Sequence, residues 1–323
     1  MTSQEYMRKR KTHALNLLLK TSMLLTFLIS FISCDWLGGD DHSDPGTQIP
    51  NTELFSPLQL GAVAYSGTIS PDRKSLLLVN NEFADTIGTL MMDMETYEKK
   101  EFSKDFLGTA DWSPDGEWIV YTDYSKGRNI FKIKSNGDSI TQLTFEGNSI
   151  FPRWSPDGEK IVYVWSVYPE GGVHLMDKNG NGKSFLFVGT EPSWSNSGDK
   201  IIGWIGLPVG GNVFLLYNFS QSRVVDTLKV MKGESNREPQ YSPDGKRVLF
   251  WNDRGTYLMD SNGRNIRTVF KYSDNPEDDF DWGASWYSNN QVMYSRFRVT
   301  RYIDNNFGGY IEGYSSLYIK HIN

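Results

Sequence analysis

The chain has 323 residues, with 33 Lys and Arg set against 39 Asp and Glu for a formal net charge of −6. An acidic balance argues against a nucleic-acid partner, which needs a basic surface to neutralise phosphates. Aromatic residues make up 14% of the chain and fall in short runs bounded by Gly, Pro, Asn and Asp, the pattern of an all-β protein with a large core.

The N-terminus comes first. Arg8, Lys9, Arg10 and Lys11 form a basic stretch, and an apolar run from Met23 to Ile32 leads to Ser33 and Cys34. That run is shorter than the roughly 20 apolar residues of a spanning helix, so residues 1–33 are expected to be a secretory signal. Cys34 is the only cysteine, so no intrachain disulfide can form. The segment Phe31-Ile32-Ser33-Cys34 resembles the lipobox of bacterial lipoproteins, with Phe where Leu is usual. The resemblance implies cleavage before Cys34 and acylation of its thiol, palmitate being one such chain, which would anchor an exported protein to the cell envelope. Cleavage would remove five basic residues and one acidic one, making the remainder more acidic still. Residues 34–50 are polar, acidic and rich in Gly and Pro, the composition of a flexible tether. In lipoproteins, acidic residues after the cysteine imply inner-membrane retention in enterobacteria or surface export in Bacteroidetes. The expected location is the outer membrane, on either its periplasmic side or its surface.

From residue 51 onward the chain repeats. TISPDRKSLLLV, DWSPDGEWIVYT, RWSPDGEKIVYV, SWSNSGDKIIGW and QYSPDGKRVLFW align, with their turn serines at Ser70, Ser113, Ser155, Ser195 and Ser242. The degenerate copy SWYSNNQVMYSRF places Ser288 in register with them. A period of roughly 40 to 50 residues built from short strands indicates propeller blades. Within each unit Pro presets φ, Asp supplies an acceptor and Gly tolerates positive φ, so Ser-Pro-Asp-Gly closes a tight hairpin between strands a and b. Asn136-Gly137 and Asn262-Gly263 mark the turn from c to d. The aromatics before the serines, Trp112, Trp154, Trp194 and Tyr241, are expected between neighbouring blades.

The sixth unit supplies strands a, b and c and then ends, while residues 51–60 offer one spare strand before the first blade. The expectation for 51–323 is therefore an all-β, six-bladed propeller of four-stranded antiparallel blades, closed by an N-terminal strand that removes an open edge.

These repeats resemble the TolB-like, WD40-like propeller family, whose repeat also occurs in propellers of dipeptidyl peptidase IV relatives and of oligogalacturonate lyases. The resemblance runs from about Thr52 to Asn323. TolB itself would imply partner binding in the Tol-Pal system of the periplasm. Fold does not fix function, because one propeller scaffold hosts many sites.

Signals for chemistry are sparse. No Gly-x-Ser-x-Gly elbow accompanies the repeats, and only His174 and His321 lie within them, on strands c of different blades. Asp177 to Gly182 matches the first half of a calcium loop, but Val188 stands where the bidentate Glu belongs, so a c–d turn is expected. The pairs Gly171-Gly172, Gly210-Gly211 and Gly308-Gly309 read as loop hinges, and the acidic run 276–281 as a solvated loop. Neither metal nor cofactor is expected.

Turns a–b and c–d emerge at one end of the ring and are short. Connections b–c and d–a emerge at the other end and vary, the longest being read as a loop from Val299 to Ser316. That variable end is the expected ligand face, because long loops on a rigid scaffold carry binding groups. Its candidates are Arg153, Glu191, Arg237 and Glu238 at the channel mouth, and Arg301, Tyr302, Phe307 and Tyr310 on the long connection. The expectation is a monomeric, non-catalytic, membrane-tethered module that binds an envelope protein or glycan. The alternative is a glycan lyase or hydrolase using channel carboxylates, for which Glu191 and Glu238 are the pair to inspect.

Overall fold

A computed structural model describes residues 52–55, 64–80, 88–103, 107–167, 171–208, 210–231, 234–272, 280–303 and 310–322. The segments expected to be signal and tether, Cys34, Phe307, the Gly308-Gly309 pair and most of the acidic run lie outside the described residues.

The hairpin chemistry is repeated round the ring. In blade 2 the Ser113 hydroxyl donates to Asp115 Oδ1 at 2.5 Å and accepts the Trp118 N–H at 2.9 Å, while Gly116 turns the chain at φ +73°. Blades 1, 3 and 5 repeat the serine–aspartate bond with Ser70 and Asp72, Ser155 and Asp157, and Ser242 and Asp244. In blade 4, Ser197 occupies the usual place of the aspartate, and Ser195 reaches Asp199 instead at 3.0 Å. These serine bonds hold the Asp72, Asp115, Asp157 and Asp244 carboxyls below the usual range, and Ser197 does the same for Asp199.

Six four-stranded antiparallel sheets result. Blades 1 to 5 run in simple sequence order, and the sixth is ordered from the N-terminal strand Thr52–Phe55 through Tyr310–His321 and Gln291–Ile303 to Phe280–Ser288. The N-terminal strand is the outer strand of that last blade, with Thr52 opposite Ile319 and Glu53 opposite Tyr318. The ring is closed by the spare strand, as the sequence implied.

The core lies in the seams between blades. Successive side chains of a strand point to opposite faces, so alternate residues serve alternate seams. Ile119 and Tyr121 of blade 2 pack with Leu77 of blade 1, whereas Val120 packs with Trp154 and Ile161 of blade 3. The same alternation sends Ile201 to the blade 3 seam and Ile202 to the blade 5 seam. Met293 of blade 6 meets Leu76, Leu78 and Met92 of blade 1 and completes the circle. Each fully buried side chain of this kind contributes about 1.5–3 kcal/mol.

The expected aromatics sit in these seams, and some of their indoles tie blade to blade. Trp112 Nε1 donates to the Thr68 carbonyl at 3.0 Å and Trp194 Nε1 to the Arg153 carbonyl at 3.2 Å. In blade 6 the corresponding tie is made by Trp286, to the Gln240 carbonyl at 3.0 Å, rather than by the residue directly before Ser288.

One expectation is corrected. Within the segment from Val299 to Ser316, residues 299–303 and 310–316 are not loop: they continue strands b and c of blade 6 as a paired ladder, with Arg298 opposite Tyr314, Val299 opposite Gly313 and Ile303 opposite Tyr310. Val299, Thr300, Tyr302 and Ile303 are β-branched or aromatic, and pairing satisfies backbone groups that an open loop would leave to water. Strand a of this blade pairs only as far as Phe280 with Phe297, so the hairpin extends past the end of the ring where strands a begin.

Candidate functional site

Strands a are the inner strands, and those of neighbouring blades pack on one another. Each carries an irregularity near its start. In blades 3, 4 and 5 the register shifts by one residue within Ile150–Arg153, Thr190–Ser193 and Arg237–Gln240. The first extra residue in each is Phe151, Glu191 or Glu238, at φ +56°, +49° and +48°. Non-glycine residues seldom adopt this conformation, and a bulge re-aims the side chain it carries.

The re-aimed glutamates meet. Glu191 Oε2 accepts the backbone N–H of Glu238 at 3.1 Å and also the indole N–H of Trp204. Trp251 stands in the equivalent place beside the Glu238 carboxyl and acts to lower its pKa. Burial, then the Glu238 charge, raise the Glu191 carboxyl to about 8, and burial also raises Glu238. Asp111, on strand a of blade 2, accepts the Trp154 N–H at 2.7 Å and is raised by burial to about 6, opposed by Arg153.

Two arginines complete the group. Arg153 and Arg237 are each half-buried, and their charges act on the carboxyls around them: Arg153 on Asp111 and Glu238, Arg237 on Glu191 and Glu238. Among the described residues no ion pair joins either arginine to these carboxyls. Arg153 Nη1 donates to its neighbouring Pro152 carbonyl at 3.1 Å. Arg237 lies over the Trp251 ring at 5.3 Å, and its Nε is buried without a hydrogen-bond partner.

All four expected channel-mouth residues are thus brought together at the end where connections d–a emerge. Arg301, Tyr302 and Tyr310 lie on the extended hairpin of the adjacent blade, which projects from the same end of the ring. Sequence reasoning missed Asp111, Trp204, Trp251 and Tyr124. The last packs on Gly108, where a Cβ would collide with its ring, and feels the Glu191 charge. A signal existed for the tryptophans, since Glu191 to Trp204 and Glu238 to Trp251 share one spacing.

Elsewhere the structure assigns plain roles. Asp177 Oδ1 accepts the N–H groups of Asn179 and Asn181, each at 2.8 Å, and so closes a c–d turn. His174 is enclosed by Tyr163, Trp165 and Phe185, and burial lowers its pKa. His321 faces Gln291 at 3.1 Å. Among the described residues no group of three or more His, Cys, Asp or Glu is arranged to hold a metal, and no helix is long and apolar enough to cross a membrane.

No family model and no curated protein matches the sequence. Solved structures match the fold. TolB from Acinetobacter baumannii has a TM-score of 0.53 at 20% identity over 62% of this chain and 52% of that one, so this chain spans about half of that relative. A TolB from Agrobacterium tumefaciens gives 0.55 at 21% identity over 65% and 82% of the two chains. An oligogalacturonate lyase from Vibrio parahaemolyticus gives 0.56 at 15% identity over 80% and 77%. At these identities the likeness establishes the TolB-like, six-bladed propeller fold.

Proposed function

We propose that the protein is a non-catalytic binding module, exported and tethered to the cell envelope through Cys34, that takes an envelope protein or glycan at the end of the ring where strands a begin. One observation carries this reading: Arg153 and Arg237 sit half-buried among carboxyls without pairing to them, and Arg237 Nε has no partner among the described residues. Buried donors are ordinarily satisfied, so unused ones suit a ligand's acceptors. The likeness to TolB structures is in keeping with partner binding in the envelope.

A second reading has its own observation. Two adjacent carboxyls with raised pKa values suit acid and base roles in a glycan lyase or hydrolase, and a lyase shares the fold. The binding reading is preferred because Glu191 Oε2 is already committed to Trp204 and Glu238, as an inter-blade tie.

Residues 51–323 can be screened by surface plasmon resonance against envelope proteins and polysaccharide fragments. Binding that is lost in Arg153→Gln and Arg237→Gln without a change in melting temperature supports the module. New chain ends generated from a polysaccharide, and abolished by Glu238→Gln, would establish the enzyme instead.

A further inference from the structure

We infer that the group seated between Arg153 and Arg237 is the C-terminal carboxylate of a protein partner, entering the ring end-on. This rests on the binding-module reading and names the chemistry of its ligand.

The argument starts from how each polar group is engaged. The carboxyls of the cluster are held by N–H donors of the ring itself: Asp111 by Trp154 N at 2.7 Å, and Glu191 by Glu238 N at 3.1 Å and by Trp204. Ser193 does the same across the seam between blades 4 and 5, its Oγ accepting Tyr241 N at 3.1 Å. These are ties between inner strands, made by acids and a hydroxyl alike, so the acids belong to the scaffold. The guanidiniums have no such role. Arg153 gives one donor to a carbonyl of its own strand, and Arg237 shows no partner for its Nε. What the mouth offers a ligand is therefore a surplus of planar, forked donors, the arrangement that matches a carboxylate bidentately.

Charge agrees with this. Burial and then the Glu238 charge raise Glu191 to about 8, which leaves the two arginine charges less neutralised than a count of acids suggests. A ligand carboxylate restores balance without stripping a proton from the scaffold.

The source of the carboxylate follows from shape and from the aromatic groups. The cluster lies near the first residues of the inner strands, where blades 2 to 5 converge, and its arginines are half-buried. A chain terminus places its carboxylate there with nothing beyond it, whereas a uronate within a glycan carries sugar on both sides. A sugar also needs an open aromatic face. The Trp251 face on this side is covered by the Arg237 guanidinium at 5.3 Å. Capture of a terminal carboxylate by preplaced donors is an established mode of peptide recognition.

The test uses residues 51–323 and an array of peptides varied over their last residues, each made with a free C-terminus and with a C-terminal amide, alongside uronate oligosaccharides. Expected is a set of free-acid peptides that bind at least about tenfold more tightly than their amides, a step of about 1.4 kcal/mol. That preference should vanish in Arg237→Gln and fall in Arg153→Gln, with melting temperatures unchanged. Equal binding of acids and amides, or no binding by any free-acid peptide, overturns the inference. Arginine-dependent binding of uronate oligosaccharides alone also overturns it, while leaving the binding site itself standing. Peptide binding indifferent to both arginine substitutions would overturn the inference and the site together.

Discussion

The carboxyl of Glu191 accepts the backbone N–H of Glu238 at 3.1 Å, across the seam between blades 4 and 5. Both residues stand at bulges with positive φ, a conformation that costs on the order of 1–3 kcal/mol and persists only where its surroundings enforce it. Their side chains therefore reach the mouth of the ring because the strand is bent there.

This pairing sets a pH dependence. The native fold raises Glu191 from an ordinary 4.5 to about 8, so over that interval the native state holds a proton that the unfolded chain has released. Stability contributed in this way is complete below the unfolded pKa and is lost as pH rises through the native one. Asp111, raised to about 6, acts in the same direction. The turn aspartates, such as Asp115, are lowered by their serines and act oppositely, losing their contribution as pH falls. The melting temperature should decline from about pH 4.5 to pH 8, and Glu191→Gln should flatten that decline. An identical slope in the variant would show that Glu191 titrates normally.

The repeated serine makes a measurable contribution. Ser242 Oγ accepts the Arg247 N–H at 3.0 Å and donates to Asp244 at 2.6 Å, and the serine is buried. Ser242→Ala leaves both partners wanting and should cost about 1–3 kcal/mol in urea denaturation. Ser197→Ala, at an exposed position of the blade 4 turn, should cost less.

Closure predicts a contrast between two deletions. Removing residues 51–60 takes away the strand that pairs Thr52 with Ile319 and Phe55 with Leu317, exposing the edge of Tyr310–His321. The loss should exceed the roughly 1 kcal/mol of a typical substitution. Removing residues 35–50 should leave the melting temperature unchanged. Equal effects in calorimetry would refute the closure.

The fold was legible because its information is local and repeated. Ser-Pro-Asp-Gly fixes a turn by its own side chains, and alternation such as Ile119, Val120, Tyr121 fixes which seam each residue fills. The site was legible only in part. Glu191 and Glu238 stood out by their common distance from the turn serine, but nothing in a glutamate announces a positive φ, and the bulges depend on pairing with strand b. The hairpin of blade 6 was misread because Asp304, Asn305, Asn306, Gly308 and Gly309 signal a turn without saying how far the ladder extends on either side.

The anchor is testable independently of the ring. If the thiol is acylated, Cys34→Ser should leave the propeller folded and release it from membranes into the soluble fraction. Incorporation of a fatty-acid probe into the natural protein, and its absence from the variant, is the direct measurement. A variant that stays in the membrane pellet, from a parent that takes no label, would remove Cys34 from the account.

The last prediction concerns which end of the ring meets the partner. The blade 6 hairpin extends beyond the start of strand a, on the end where the Glu191 cluster opens, and blade 6 adjoins the blade that carries Glu238. A paired hairpin holds its backbone through ladder hydrogen bonds. Replacing Tyr302, Phe307 and Tyr310 together by Ala should weaken partner binding by about tenfold or more, since aromatic residues commonly dominate such contacts, and should leave the melting temperature nearly unchanged. The opposite end offers a control, because its turns are short and built from Ser-Pro-Asp-Gly and Asn-Gly. Charge reversal at Glu117 and Glu159 there should not affect binding. Binding that survives the triple substitution and is lost on these reversals would mean that the partner uses the turn end of the propeller.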